Sequence, residues 1–285
     1  MDGTVFLNGE FMNANEAKIS AFDRGFIFGD GIYEVVPVVG GVLVDKIDFW
    51  ARFEASLAAI SLKLPYDKWK FEEILREAVA RNDLKEGGVY IQITRGAAAR
   101  SFAFIDGLEP TCFIFCYEAK ITDNPLAKSG IEIASVPDIR WKRRDIKSVS
   151  LLAQCYAKNE AVKVGAFEGF MIEDGFVTEG TSSSAFIIKD GVLITKPLSN
   201  EILPGIRRKV ILGFAGELGL KIEQRKFSMT EVYEADEVFI SAATLPLLPV
   251  VKADGKPING GKIGVFFPIL REKYVERLLD EASKG

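Results

Sequence analysis

Apolar and polar positions alternate through Val5-Phe6-Leu7 and again at Phe11-Met12, with Asn8-Gly9 between them, the pattern of a β-hairpin closed by a tight turn. A longer extended run, Tyr33 to Val39, turns at Gly40-Gly41 and returns through Val42-Leu43-Val44. The period then lengthens: Trp50, Phe53, Leu57 and Ile60 recur every three to four residues, which predicts a helix over 47–62 with Arg52 beside its apolar stripe. A second helix is predicted from Tyr66 to Ala80, with Asp67 as its N-cap. Two β-rich runs follow, Val89–Thr94 and Thr111–Tyr117, so the first half is predicted to be an α+β unit with an antiparallel sheet.

Apolar periodicity lapses over 120–128, where Asp123-Asn124-Pro125 gathers turn formers. This predicts a linker between an N-terminal domain, 1–119, and a C-terminal domain, 129–285. The second half begins with a strand at Ile131–Val136, followed by a helix over Val149–Lys163. A strand at Gly169–Glu173 then turns at Asp174-Gly175, and two further strands flank Asp190-Gly191. Leu203-Pro204-Gly205 is a turn opening a helix at Ile206, and such an N-terminus collects backbone amides that suit an anion. Strand Glu237–Ile240 runs into Ser241-Ala242-Ala243-Thr244, and a last helix covers 264–282. There is no internal repeat and no low-complexity segment.

Composition narrows the class more than the chemistry. In 285 residues, 48% apolar and 27% charged is the balance of a soluble globular protein, and a net charge of −4 gives no reason to expect nucleic acid. No apolar run approaches a membrane span, and Met1-Asp2-Gly3-Thr4 lacks the basic start and apolar core of a signal peptide. The three cysteines, Cys112, Cys116 and Cys155, are too few and too odd in number for a disulfide framework, and they lack partners for structural zinc. A cytoplasmic location is expected. The most informative feature is that the chain has no histidine. Serine–histidine and cysteine–histidine nucleophiles and histidine metal sites are therefore excluded, no metal site is expected, and acid–base work falls to lysine, carboxylate or tyrosine.

One stretch stands out: Arg140-Trp141-Lys142-Arg143-Arg144-Asp145-Ile146-Lys147, in which five of eight residues are cationic. A basic run is usually a solvated face. Here it ends on a lone lysine beside an isoleucine, where neighbouring charge and partial burial favour the nucleophilic, neutral amine. Singly, the other candidates stay ambiguous. Glu179 reads as well as an exposed turn carboxylate, Thr181–Ser184 as a polar loop and Tyr33 as core, while Arg52, Arg95 and Arg100 read equally as solvated arginines. Together, a reactive lysine, a loop carboxylate, small-residue loops, a helix N-terminus and an arginine are the parts of a pyridoxal phosphate site.

The motifs DRGFIFGDGIYEVVPV (23–38), ARFEAS (51–56), TRGAAAR (94–100), RWKRRDIKSVSLL (140–152), VTEGTSSS (177–184), LPGIRR (203–208) and FISAAT (239–244) span nearly the whole chain. In order and spacing they resemble the fold-type IV pyridoxal-phosphate aminotransferases, and within them the D-amino-acid branch. The resemblance implies a two-domain α+β fold, with a small N-terminal domain and a larger, β-barrel-like C-terminal domain with helices that carries the catalytic lysine. By position, Lys147 matches the lysine that links to the cofactor and shuttles the substrate proton. Glu179 matches the acid of the pyridine nitrogen and Arg52 the phosphate arginine. Ile206 opens the phosphate-cup helix, and Ser183, Ser184, Arg207 and Ala243 occupy the other cofactor-facing positions. Tyr33, Arg100, Phe102 and Thr244 fall at substrate-facing positions, the arginine being supplied across a homodimer whose active site lies at the subunit interface.

The chain also departs from its relatives. Phe102 stands where the D-amino-acid enzymes carry a histidine, and a phenyl ring cannot donate to a carboxylate. Phe49, Ser184, Arg207 and Ala243 replace a histidine, an asparagine and two threonines. Arg207 either adds its charge to the phosphate site or points to solvent. The activity implied is ping-pong transfer of an amino group from a D-alanine-like amino acid to a 2-oxoglutarate-like acid. Alternatives are a branched-chain L-aminotransferase, an (R)-amine transaminase or aminodeoxychorismate lyase within the same fold, and, outside catalysis, a low-turnover cofactor-binding protein.

Overall fold

The first sheet grows from its hairpins. Strands β1 (Thr4–Leu7) and β2 (Glu10–Asn13) pair across Asn8-Gly9, whose φ angles of 48° and 107° are the left-handed conformations a two-residue turn requires. After a short helix α1 (Arg24–Phe28) come β3 (Gly31–Val39) and the two-residue β4 (Val42–Leu43). Helices α2 (Lys46–Ala59) and α3 (Lys68–Arg81) follow, then β5 (Glu86–Thr94) and β6 (Thr111–Glu118). The strands assemble as an antiparallel sheet in the order β2-β1-β6-β5-β3-β4. Its inner positions, among them Phe6, Ile32, Val36, Ile91 and Ile114, pack with Phe49, Trp50, Phe53 and Phe71 of the two helices. Burying one such side chain contributes roughly 1.5–3 kcal/mol. The alternate positions place Tyr33, Tyr90 and Phe115 on the other face, stacked at centroid spacings of 5.6 and 4.7 Å. Asp67 caps α3 as expected, accepting from Lys70 N at 2.8 Å.

This computed structural model describes residues 3–285; of the expected start Met1-Asp2-Gly3-Thr4, Met1 and Asp2 lie outside the described residues. The chain forms two compact units. The first contains the chain up to Lys120 with Ile146–Ser150 and Leu278–Gly285, and the second contains Ile121–Asp145 and Leu151–Arg277. The lysine segment, expected with the C-terminal domain, thus belongs with the first unit. The reason is a free strand edge. β4 covers only Val38 and Val39, so Gly31–Tyr33 is open on that side and 147–149 pairs there. Tyr33 N donates to Lys147 O at 2.9 Å and Val149 N to Gly31 O at 3.1 Å. The helix predicted from Val149 therefore begins only at Leu152, because a backbone committed to β3 cannot also turn into a helix.

In the second unit a helical turn α4 (Leu126–Ser129) overlaps the end of the stretch expected as linker. Next come β7 (Ile131–Pro137), helix α5 (Leu152–Lys163), β8 (Glu168–Glu173), β9 (Phe176–Gly180), β10 (Ser184–Lys189) and β11 (Val192–Thr195). Helix α6 (Ile206–Glu217) precedes β12 (Lys221–Gln224), and α7 (Met229–Glu234) precedes β13 (Glu237–Ala242), β14 (Leu245–Ala253) and β15 (Lys256–Pro257). The chain closes on α8 (Phe266–Ser283). The sheet runs β12-β11-β10-β13-β14-β7-β8-β9, with β15 beside β14. It is mixed, with parallel pairs at β11/β12, β14/β7 and β7/β8. It curls so that β9 returns beside β10, around a core that includes Ile133, Phe170, Ile187, Ile240 and Leu248. Among the described residues, no helix is long and apolar enough to cross a membrane, and no cluster of His, Cys, Asp or Glu is arranged to hold a metal.

Candidate active site

The basic run separates into paired cations and one exception. Arg140 grips Asp138 with Nε at 3.0 Å and Nη2 at 2.7 Å, and reaches Glu179 Oε1 with Nη1 at 2.5 Å. Lys142 pairs with Glu173, and Arg143 with Asp145 at 2.9 Å. Arg144 bridges Glu173 at 2.7 Å and Asp138 at 3.1 Å. Among the described residues, Lys147 alone of the five has no carboxylate partner. Its amine lies 4.1 Å from the centroid of the Tyr33 ring, a cation–π distance, and its backbone N–H donates to Ser56 Oγ at 3.3 Å. Extended backbone on both sides of the contact, β3 and the 147–149 segment, holds this geometry.

In the same unit Arg52 is 8% exposed and forms a bidentate pair with the fully buried Glu34, at 2.5 and 2.8 Å. It is not the solvated helix arginine that its neighbourhood in the sequence allowed. Arg95 is also buried, whereas Arg100 is exposed, its guanidinium carbon 5.0 Å from the Phe102 ring centroid and 5.6 Å from that of Phe28. Phe102 is 77% exposed. A cavity of about 470 Å³ on the outer face of the first sheet, lined by Leu7, Ile19, Gln92 and Phe113 among others, includes none of the expected site residues.

The second unit brings together most of the residues expected at the cofactor. Glu179 is 6% exposed, not a solvated turn carboxylate, and also accepts from Leu203 N at 3.2 Å. Burial pushes its carboxyl up, while the Arg140 guanidinium and the Leu203 amide pull against that rise. Burial also works to raise Asp138, yet the Arg140 fork and the Thr178 hydroxyl hold it below the usual carboxylate range. Ser184 lies against the start of α6. A Cβ on Gly205 would sit 2.5 Å from Ser184 Oγ, so only glycine permits this approach. Gly205 is the N-cap of α6 and, having no side chain, contributes no side-chain cap bond to the first turn. Ser241, opposite Ser184 in the sheet register, has its hydroxyl buried with no hydrogen-bond partner among the described residues.

Arg207 follows neither course open to it in the sequence in simple form. At 1% exposure it is not in solvent; it donates from Nε to Ala243 O at 3.0 Å, also from Nη2, and lies 4.8 Å from the Tyr274 ring centroid. It thereby ties the start of α6 to the turn formed by Ala243 and Thr244. Ser183 turns its hydroxyl onto Glu168 at 3.2 Å, as Ser182 does at 3.1 Å and Thr181 does more closely.

Three contributors were not singled out in the sequence. Glu168 organises the serine loop from beneath, Asp138 orients Arg140, and Glu34 orients Arg52. Only Asp138 carried a local signal, standing two residues ahead of the basic run. Glu34 stands on β3 and Arg52 on α2, while Glu168 stands on β8 and the serines in the loop before β10, so folding rather than a local pattern reveals these pairings.

Residues 31–253 match the model of the family described as amino-transferase class IV. The chain is 41% identical over 281 residues to a D-alanine aminotransferase of Staphylococcus aureus (strain N315), covering 95% of this chain and 98% of the relative. It is 35% identical over 280 residues to a D-alanine aminotransferase of Bacillus licheniformis, covering 98% and 99%. Among solved structures, the branched-chain amino acid aminotransferase of Escherichia coli superposes with a TM-score of 0.91 over 99% of this chain and 96% of that one. At 22% identity that likeness is one of fold.

Proposed function

The chain belongs to the class IV aminotransferases, and from that footing we propose that it uses pyridoxal phosphate to move an amino group from a D-amino acid of the D-alanine type to a 2-oxo acid, by a ping-pong route. One observation carries this reading. In a run where every other cation is neutralised by a carboxylate, the amine of Lys147 is left against the ring of Tyr33. A lysine without an ionic partner is the group that transamination chemistry needs.

The donor set fits the cofactor. The amides opening α6, the close approach of Gly205 to Ser184 and the partnerless Ser241 hydroxyl make a cradle for a phosphate. Arg52, oriented by its bidentate pair with Glu34, is the guanidinium that its place in the ARFEAS motif assigns to the phosphate. When bound, pyridoxal phosphate supplies an aldehyde to carry the amino group and a ring that withdraws electrons from the substrate α-carbon. Glu179 is the acid for the ring nitrogen, and the Arg140 fork fixes its orientation. Lys147 Nζ takes the proton from the α-carbon of the amino donor in one half-reaction and delivers a proton to the α-carbon of the 2-oxo acid in the other. Tyr33 steadies that amine with its ring face and offers its hydroxyl to the substrate carboxylate. The substrate carboxylate is also bound by the partner subunit's Arg100, in a homodimer working in the cytoplasm.

The test is to load the purified protein with pyridoxal phosphate and mix it in parallel with D-alanine, L-leucine and (R)-phenylethylamine while following the visible absorbance of the bound cofactor. D-alanine is expected to bleach it and yield pyruvate. A response to L-leucine alone rejects the D-amino-acid reading, and no response to any donor rejects transamination. Exposed Phe102 beside Arg100 favours one second reading, use of a larger apolar amine, which a faster response to phenylethylamine than to D-alanine would establish.

A further inference from the structure

The glycine- and aromatic-rich stretch from Asp23 to Gly31 is not used by the chemistry above, yet it contains two acids in tightly built settings. Asp23 is 1% exposed. Its Oδ1 accepts from Gly25 N at 2.8 Å, and its Oδ2 accepts from Thr94 Oγ1 at 3.0 Å and Thr111 Oγ1 at 2.6 Å. Those two threonines are the last residue of β5 and the first of β6, so one carboxylate closes the neck of the loop 95–110 that joins them. Arg24 N donates to Gly96 O at 2.9 Å and Ala98 N to Phe22 O at 3.2 Å, extending the closure into the loop.

Asp30 acts further out. Its side chain, 7% exposed, lies between two guanidiniums: Arg24 Nε at 2.7 Å, and Arg95 with Nε at 2.8 Å and Nη2 at 3.0 Å. Both arginines are buried, and each also holds the loop. Arg24 Nη1 donates to Ser101 O at 2.6 Å, next to Arg100. Arg95 lies 3.7 Å from the centroid of the Phe104 ring while donating to Ile60 O and Ser61 O, which anchors it to the end of α2. Arg24 also lies 4.8 Å from the centroid of Phe28, whose ring is 5.5 Å from that of Phe102. The residues on both sides of Arg100 are thus tied, through two cations, to one carboxylate.

We propose that Asp30, acting through Arg24 and Arg95, is the positioning residue that holds the 95–110 loop in the shape presenting Arg100, and so sets affinity for the substrate carboxylate. This rests on the reading of Arg100 as the carboxylate-binding group. The physical basis is that a single buried anion shared by two cations fixes both; neutralising it leaves two like charges that repel and lets the loop carbonyl at Ser101 drift. A guanidinium on a loosened loop pays more entropy to engage a carboxylate, and the loss appears in substrate affinity.

The experiment uses the loaded full-length protein with Asp30→Asn, Arg24→Gln, Arg100→Ala and the double variant Asp30→Asn/Arg100→Ala. Steady-state kinetics with D-alanine and 2-oxoglutarate is combined with amide hydrogen exchange of residues 97–104. Asp30→Asn and Arg24→Gln are expected to speed exchange in that segment and to raise KM for both substrates about tenfold, the scale of one charge-assisted hydrogen bond. Turnover at saturation and the cofactor absorbance should stay unchanged. Adding Asp30→Asn to Arg100→Ala should raise KM less than about twofold more, because both act through one group. Full additivity, or a fall in kcat with unchanged KM, overturns the proposal. Should Asp30→Asn fail to fold, Arg24→Gln alone decides on the same criteria. An unchanged KM in Arg100→Ala sinks the carboxylate reading instead. Unchanged exchange at 97–104 in both single variants overturns the positioning role whatever the substrate proves to be.

Discussion

The amine of Lys147 rests 4.1 Å from the centroid of the Tyr33 ring, and the backbone N–H of the same tyrosine donates to the lysine carbonyl at 2.9 Å. One residue therefore grips the lysine at both ends, its backbone by sheet pairing and its side chain by an aromatic face. Lys147→Ala is expected to lower transamination about 10³-fold or more and to remove the visible absorbance of the bound cofactor. Tyr33→Phe keeps the ring, so it should raise KM for carboxylate substrates with little change in kcat. Tyr33→Leu loses the face as well, and kcat should fall; equal kcat in the two variants would show that the ring does not steady the amine.

Glu34 and Arg52 form a bidentate pair that is almost wholly buried. Glu34→Gln weakens the hold on a buried guanidinium, at a cost of about 3–5 kcal/mol in unfolding free energy. Urea denaturation checks the stability, and a titration with pyridoxal phosphate checks that affinity falls with it.

Arg140→Met removes the charge that opposes the burial-driven rise of Glu179. The carboxyl should then move further up, and the Asp138 carboxyl should rise with it. A carboxyl with a raised pKa binds more protons folded than unfolded, so stability falls as pH climbs above the ordinary carboxylate range. Urea midpoints from pH 5 to 8 should therefore decline more steeply in Arg140→Met than in the parent protein. Parallel curves would remove Arg140 as the controlling charge.

Glu173 has the opposite sign. Hydrogen bonds from Arg144 and Lys142 hold its carboxyl down at about 2. Its stabilisation is present above the ordinary carboxylate range and is lost as pH falls toward about 2. Glu173→Gln should be less stable than the parent at pH 7, with the gap narrowing by pH 3.

Arg207→Ala cuts the tie between α6 and the Ala243 carbonyl. Losing a charged hydrogen bond and the contact with Tyr274 should cost about 2 kcal/mol and weaken pyridoxal phosphate binding, measured by spectroscopic titration. Lower stability with unchanged cofactor affinity would make Arg207 a brace only.

Much of the architecture was readable along the chain because it is written in local periods. The Asn8-Gly9 and Asp190-Gly191 turns, the apolar stripe of α2 and the Asp67 cap each depend on residues within a few positions of one another. Helix α1 leaves no signature in the sequence because five residues are too few to display a helical period. The start of α5 differs from its local pattern because the edge of β3 claims the backbone of 147–149, a competition between segments more than 100 residues apart.

The sequence by itself determined the family, the order of the motifs and the identity of the lone lysine, since each is a matter of which residues occur at which spacing. Only the tertiary structure decided which charges neutralise one another. It paired Arg140 with Asp138 and Glu179, gave Arg52 to Glu34, turned Arg207 away from solvent and left Lys147 on the ring of Tyr33. A cation in sequence is only a charge. Whether it is spent on a carboxylate or kept for chemistry depends on distances of a few ångströms between strands, and those are set by the packing of the sheet.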